Sequence, residues 1–171
     1  KKDYPEWSDR GDGPGAPVAV HLPQSPIIGT GKRDGSKIRL PNGNYLEETA
    51  SYYVMIETKT GGYTPALITM KSTQLNVSKK WNSMMKTIQI PDGKGGFAIP
   101  PMHGVVYNLA STLQKNDKGS WYGWVVTQDR IMGQNDKALY LDAKSFAGNV
   151  SKGSVQTKAD VEETSSDSTP Y

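Results

Sequence analysis

Hydrophobic periodicity identifies one helical segment in the chain. In residues 71–90 the large apolar side chains share one arc of about 100° on a helical wheel, and they are Val77, Trp81, Met84, Met85 and Ile88. We expect the hydroxyl of Ser72 or Thr73 to cap the first turn, because such oxygens accept hydrogen bonds from its free N–H groups. Pro91-Asp92-Gly93 follows as a stop. The pattern predicts an amphipathic helix that packs on a core.

The remaining patterned segments have the composition of strands. β-branched and aromatic residues dominate residues 51–57, 63–70, 104–112 and 120–127. Turn signals lie between them, and the strongest is Asn42-Gly43, a hairpin dipeptide. Alternation in the last strand places Trp121 and Gly123 on one face, with Tyr122 and Trp124 on the other. Residues 138–147 fit either a short helix or a strand.

The order of these elements favours one small β-fold. A basic hairpin near residue 40 precedes two strands, the helix and two further strands, which is the order of the oligonucleotide/oligosaccharide-binding (OB) barrel. Other small β-folds accommodate the same order. The predicted fold class is mainly β, as an OB-like five-stranded barrel with one amphipathic helix between strands 3 and 4.

Composition adds a domain plan. A chain of 171 residues supports one core of ordinary size. Residues 1–31 are rich in proline and glycine and predict an irregular N-terminal arm, and residues 32–148 then form the single β-barrel domain. Residues 149–171 have few large apolar side chains and predict a disordered acidic tail rich in serine and threonine.

Charge is unevenly distributed along the chain. The net charge is +3, but residues 1–159 hold all 20 basic residues and 13 of the 17 acidic ones, so this part carries +7. A basic body with an acidic tail favours a polyanionic partner. No apolar run approaches the about 20 residues of a membrane span, so we expect no membrane partner and a cytoplasmic location.

The sequence offers no catalytic constellation. It has no cysteine, and its two histidines, His21 and His103, lie far apart without a ligand-type spacing. Gly93-Lys94-Gly95-Gly96 lacks the Lys-Ser/Thr of a phosphate-binding loop. We expect a protein that is not an enzyme and that needs no cofactor or metal.

Cations and aromatic rings are the candidate binding groups. Single-stranded nucleic acid is held without sequence preference by cations on the phosphates and by rings under the bases. The candidate cations are Lys32, Arg33, Lys37, Arg39, Lys59, Lys71, Lys79 and Lys80. The candidate stacking residues are Tyr53, Tyr63, Trp121, Tyr122 and Trp124, with Tyr52 and Tyr107 as further rings; about half of these seven belong in the core, because the chain has only 2 phenylalanines.

Three segments resemble a known class of proteins. ALITMKSTQL (66–75), SKKWNS (78–83) and NDKGSWYGW (116–124) look like small tailed-bacteriophage proteins of the replication and recombination region, some of which are described as single-stranded DNA-binding proteins. The resemblance covers roughly residues 38–146. It implies an OB-like barrel with a groove for single-stranded DNA and an acidic tail that recruits replication proteins. The end of this chain, Pro170-Tyr171, matches the usual hydrophobic tip only in part.

The sequence therefore predicts a protein that binds single-stranded DNA in phage DNA replication or recombination, in the cytoplasm of the host bacterium. Two alternatives remain open: a non-catalytic β-domain that binds carbohydrate or protein through its aromatic residues, and a phage virion or assembly protein. The sequence leaves the oligomeric state open.

Overall fold

A computed structural model describes residues 1–9, 16–117 and 119–155 of the chain. The strands are β1 (Lys2–Trp7), β2 (Ala19–His21), β3 (Lys32–Asp34), β4 (Lys37–Arg39), β5 (Tyr45–Glu47), β6 (Thr49–Glu57), β7 (Tyr63–Lys71), β8 (Ile90–Pro91), β9 (Phe97–Ala98), β10 (Val105–Asn116) and β11 (Gly119–Ile131). The α-helices are α1 (Ile27–Thr30), α2 (Leu75–Thr87) and α3 (Lys137–Ser151), and short 3₁₀ turns occupy Ser72–Gln74, Met102–Gly104 and Gln134–Asp136. The prediction of a mainly β fold is confirmed.

A seven-stranded antiparallel sheet forms the centre of the molecule. Its strand order is β3-β4-β5-β1-β6-β7, and β2 pairs with β1. β5 and β6 follow each other with only Glu48 between them, and β1 pairs with both in a single register, from Lys2 opposite Ala50 to Glu6 opposite Leu46. On the other edge of this long strand β4 pairs with β5, and β7 pairs with β6. β1 therefore joins the end of the sheet that contains β3, β4 and β5 to the end that contains β6 and β7.

Each end of the sheet has its own hydrophobic core. Tyr4, Ile38, Leu40 and Leu46 form one core, against which Ile27 and Ile28 of α1 pack. The second core contains Ala50, Met70 and Trp81, and α2 covers it. The helical-wheel prediction is confirmed for the packing face, because Trp81 and Ile88 are buried and Val77 and Met85 pack on this core.

Two details at the start of α2 differ from the prediction. The N-cap residue is Gln74, and neither Ser72 nor Thr73 supplies a side-chain cap. Instead a 3₁₀ turn precedes the helix, and Ser72 has a φ of 51°. The predicted stop is correct in position, since the backbone is extended at Ile88 and Pro91 lies in β8.

The sheet does not close into a barrel in the described part of the chain. β10 and β11 pair only with each other, and α2 lies between this long hairpin and the sheet. Trp81 of α2 stacks on Tyr52 of β6 at 4.4 Å and meets Tyr107 of β10 edge-on at 5.6 Å. A helix about 10 Å wide keeps the hairpin beyond the 4.7–4.9 Å at which strands pair. The OB-like five-stranded barrel is therefore not confirmed, and α1 and α3 are additional helices.

The N-terminal segment is more ordered than predicted. The prediction of an irregular arm is wrong for Lys2–Trp7, because β1 pairs with three strands near the middle of the sheet. The sequence of β1 does not show the alternation of apolar and polar residues typical of a strand, because its buried face includes Glu6 as well as Tyr4. Residues 138–147 belong to α3. The predicted tail from residue 149 lies mostly outside the described residues, and none of the described helices is long and apolar enough to cross a membrane.

Candidate nucleic-acid interface

The basic residues of β3 and β4 lie at one edge of the sheet. Lys32 and Arg33 are exposed on β3, the last strand at that end. On β4 the ammonium of Lys37 lies 3.7 Å from the centre of the Tyr45 ring. The guanidinium of Arg39 is 2.6 Å from a carboxylate oxygen of Asp9, which raises the pKa of Arg39. Two of these four predicted cations thus already have partners within the chain.

Lys59 and Lys71 mark the two ends of the β6–β7 pair. Lys59 is exposed in the turn between the strands. Lys71 ends β7, where its ammonium lies 3.3 Å from Glu47 and 5.7 Å from the centre of the Trp7 ring. The other two predicted cations, Lys79 and Lys80, are exposed on α2. The structure therefore spreads the eight predicted cations over three parts of the surface.

The predicted tyrosines divide between the two faces of the β6–β7 pair. Tyr52 faces α2, and its hydroxyl lies 2.7 Å from the Ser78 hydroxyl. Tyr53 points to the opposite, outer face, where it pairs with Leu67. Tyr63 shares this face near the turn and is exposed. The outer face of β6–β7 thus carries two of the predicted rings about four residues apart, roughly 13 Å along the strands.

Tyr107 belongs to the core rather than to a binding surface. Its ring contacts Trp81, and its hydroxyl is buried without a hydrogen-bond partner in the described residues. Burial raises the pKa of Tyr107, because the phenolate would lose its hydration. About half of the seven candidate rings were expected in the core, and Tyr52 and Tyr107 are two of them.

The β10–β11 hairpin carries the most exposed of the predicted rings, Tyr122. Its register pairs Leu113 with Tyr122 and Ser111 with Trp124, so these side chains share one face, as alternation predicted for the two rings. Leu113 and Trp124 are exposed, and Tyr122 is 72% exposed. We call the side of the hairpin formed by Leu113, Tyr122 and Trp124 the aromatic face. It is an exposed apolar surface near the tip of the two-stranded ribbon.

The opposite side of the hairpin packs on the segment before α2. The Trp124 backbone N–H donates to Gln74 Oε1 at 3.1 Å, and Gly123 is buried. A Cβ at Gly123 would lie 2.9 Å from Gln74 Nε2 and 2.5 Å from Gln114 Nε2, so glycine permits this close approach. The contact anchors the hairpin on one side, while Tyr107 and Val126, which the register places on the same side as Tyr122 and Trp124, pack on the core under α2 nearer the base of the hairpin.

Trp121 lies beside an open cleft between the hairpin tip and the 3₁₀ turn. The cleft has a volume of about 240 Å³ and is lined by Thr73, Asn116, Gly119, Ser120 and Trp121. The Trp121 indole N–H is buried and has no hydrogen-bond partner among the described residues. The predicted stacking residues of this strand therefore separate, with Trp121 in the cleft and the other two on the aromatic face.

Sequence reasoning missed Leu113 and Lys115 as members of the hairpin surface. Lys115 is exposed and lies on the same side as Leu113, two residues further along β10. The pattern that could have found them is the pairing register, which follows once Asn116 is placed opposite Gly119. Lys115 adds a cation beside Tyr122 that does not depend on the basic edge of the sheet.

Neither histidine has metal-type surroundings. His21 Nε2 lies 2.8 Å from Glu6, and the His103 ring contacts Tyr140 at 5.2 Å. Burial and the nearby Lys144 lower the pKa of His103, which favours its neutral form. Among the described residues no group of three or more His, Cys, Asp or Glu side chains could hold a metal ion.

Comparison with known proteins identifies a family for the chain. No curated protein and no solved structure matches the chain. The family model of the Pam3 phage gp34-like protein matches residues 1–156, which include all the described strands and helices. The predicted relationship to phage proteins is confirmed by this match. The chain belongs to the Pam3 phage gp34-like protein family.

Proposed function

We propose that the protein binds single-stranded DNA without strong sequence preference and protects it during phage DNA replication or recombination. It acts as a binding protein rather than an enzyme, in the host cytoplasm. The observation that carries this proposal is the aromatic face, where Tyr122 and Trp124 lie exposed two residues apart on one strand.

The spacing of the two rings suits consecutive bases. Residues two apart on a strand are separated by about 6.8 Å, so each ring can take a different base. Stacking of a base on an aromatic ring contributes about 1–3 kcal/mol and accepts every base, because every base has a π-face. Leu113 beside Tyr122 extends the apolar surface under the bases. This geometry supports binding without sequence preference.

Charge supports the same partner. Lys115 lies on the side of the aromatic face, and the chain before the acidic tail carries a strong positive charge. Cations near a stacking surface attract the phosphates and make the affinity depend on salt. The outer face of β6–β7, with Tyr53 and Tyr63 between Lys59 and Lys71, offers a second surface of the same type.

The test is fluorescence anisotropy of a labelled oligo-dT titrated with the protein at two salt concentrations. We expect salt-sensitive binding of the single strand and weaker binding of a duplex of equal length, because paired bases cannot stack on the rings. Replacing both rings, Tyr122→Ala with Trp124→Ala, should lower the affinity by at least about thirtyfold, since each ring contributes about 1–3 kcal/mol.

Phe97→Ala is the matched control, because Phe97 is 71% exposed and lies outside the hairpin. Its affinity should equal that of the unaltered protein. Tyr53→Ala with Tyr63→Ala reports separately on the outer face of β6–β7. Equal binding of single strand and duplex would overturn the proposal, as would equal losses in the Phe97 and hairpin variants.

A second candidate function is that of a phage assembly protein. Phe97, Ile99 and Met102 are all exposed in one short segment around β9, and such apolar clusters favour protein partners. Light scattering that shows a large, fixed oligomer in the absence of DNA would favour this function.

A further inference from the structure

Three strands of the seven-stranded sheet pair with a single neighbour among the described strands, namely β3, β7 and β2, and they differ in charge. β3 ends the sheet with Lys32, Arg33 and Asp34, all exposed. Charged side chains on an edge strand prevent the addition of a further strand, because pairing would remove them from water. β2 is also an edge, since β1 is its only partner among the described strands, but it carries no Lys, Arg, Asp or Glu.

An apolar stripe runs along the β2 edge. Val18, Val20 and Leu22 alternate along β2 and its two flanking positions and are all exposed, Val20 by 56%. Residues 16–31 contain no Lys, Arg, Asp or Glu, although the chain before the acidic tail is strongly basic. This is the kind of edge that accepts a further strand.

β2 is held firmly in place on its inner side. The Val18 N–H donates to the Glu6 carbonyl at 2.7 Å, and His21 contacts the buried Glu6 carboxylate. Asn42 and Asn44 donate to the same carboxylate, at 3.1 and 2.7 Å. The outer edge is therefore presented in a fixed extended form, and a partner strand need not order it first.

We propose that β2 pairs with β2 of a second copy of this chain, antiparallel across a twofold axis. With Val20 on the axis, Val18 of one copy lies opposite Leu22 of the other, and the two sheets join into one. Pro17 and Pro23 flank the segment and lack N–H groups, and the Val18 N–H is bonded to Glu6, so the donors of the new pairing come from residues 19–22 and slippage is opposed.

Charge argues for a second copy over an unrelated partner. Two copies of a basic protein repel each other where their surfaces are charged, and the uncharged segment around β2 lets them approach. The pairing is self-complementary, since it places no charge against a like charge and matches two segments of equal length. A five-residue contact buries less than the about 1,600 Å² of a standard interface, so the dimer should be weak.

The test is sedimentation velocity of the full chain, without DNA, over the widest accessible concentration range. We expect a reversible monomer–dimer equilibrium, and Val20→Lys should raise its dissociation constant by about a hundredfold, because two ammonium groups would meet at the axis. Leu141→Lys is the matched control, since Leu141 is 53% exposed on α3, and it should leave the equilibrium unchanged.

A charge-pairing experiment separates this contact from a folding defect. Val20→Lys and Val20→Glu should each be monomeric alone, and an equal mixture should form heterodimers because opposite charges then meet at the axis. A protein that stays monomeric at all concentrations would overturn the proposal, as would a dimer that tolerates Val20→Lys. Because no DNA is present, failure here leaves the DNA-binding proposal intact.

Discussion

Glu6 shows how one buried carboxylate ties together three parts of the chain. Its side chain accepts hydrogen bonds from Asn44 and Asn42 in the β4–β5 turn and lies 2.8 Å from His21 of β2. The hydrogen bond from Asn44 is the largest cause that lowers the pKa of Glu6, and His21 and Asn42 add to it against the opposing effect of burial. The charged form therefore stabilises the fold.

Glu6→Gln tests this network through its pH dependence. The folded pKa lies below the ordinary value of 4.5, so the stabilisation is present above that pH and is lost as pH falls through the folded pKa. At pH 7 the variant should lose about 1.5–3 kcal/mol, the range for hydrogen bonds to charged groups. Urea unfolding should show the gap closing in acid. A pH-independent gap would contradict the assignment.

Ser72 provides a second prediction at this scale. Its φ of 51° is a left-handed conformation that glycine adopts at lower cost. Ser72→Gly should stabilise the fold by about 0.5–1 kcal/mol. Ser83→Gly is the control, because Ser83 is exposed inside α2, where glycine should cost about 0.5 kcal/mol. Thermal unfolding measures both, and effects of the same sign would contradict the strain at Ser72.

At the scale of elements, periodicity found α2 but not β1. The helix was predictable because its apolar positions repeat at helical spacing and Trp81 dominates the packing face. β1 was not, because Pro5 interrupts it and the buried face includes Glu6. The buried Glu6 carboxylate forms its hydrogen bonds with residues distant in sequence, and no local pattern reveals them. The hairpin turn at Asn42-Gly43 was predictable because Asn-Gly favours the positive φ of a tight turn, and Gly43 has a φ of 88° in the structure.

Trp81→Ala tests the role of α2 as the link between sheet and hairpin. The Trp81 ring is buried between Tyr52 and Tyr107, so its removal leaves a cavity on both sides. We expect a loss of about 3–5 kcal/mol in the free energy of unfolding. Asn82→Ala, at the neighbouring exposed position, should change it by less than about 0.5 kcal/mol. Urea unfolding followed by circular dichroism compares the two, and equal stabilities would contradict this packing.

At the scale of the whole molecule, the sequence predicted the class of fold but not its closure. Whether strands close into a barrel depends on where a helix lies relative to them, and the order of elements does not contain that distance. The same limit applied to the candidate site. Tyr52 and Tyr53 are neighbours with similar local sequence, yet one is in the core and the other on the outer face. Alternation separated Tyr122 from Trp121, but only the folded structure shows that Gln74 approaches Gly123 and that Tyr107, on the side of Tyr122, reaches the core.

The acidic end of the chain provides the last prediction, which depends on the proposed DNA binding. Removing residues 157–171 takes away Lys158 and four acidic residues, so the net charge rises from +3 to +6. An acidic segment competes with phosphates for the same cations, and added salt screens this competition over a Debye length of about 10 Å at 0.1 M. Truncation should therefore tighten oligo-dT binding at low salt and have little effect at high salt.

Anisotropy titrations of the two chains at each salt concentration measure the effect. A full-length variant distinguishes charge from length, with Asn or Gln in place of Asp160, Glu162, Glu163 and Asp167. It should reproduce the truncation if charge alone is responsible. Equal affinities of the full-length and truncated chains at low salt would show that the acidic end does not compete. An unchanged dimer equilibrium in both variants would place the competition at the DNA-binding surface rather than at β2.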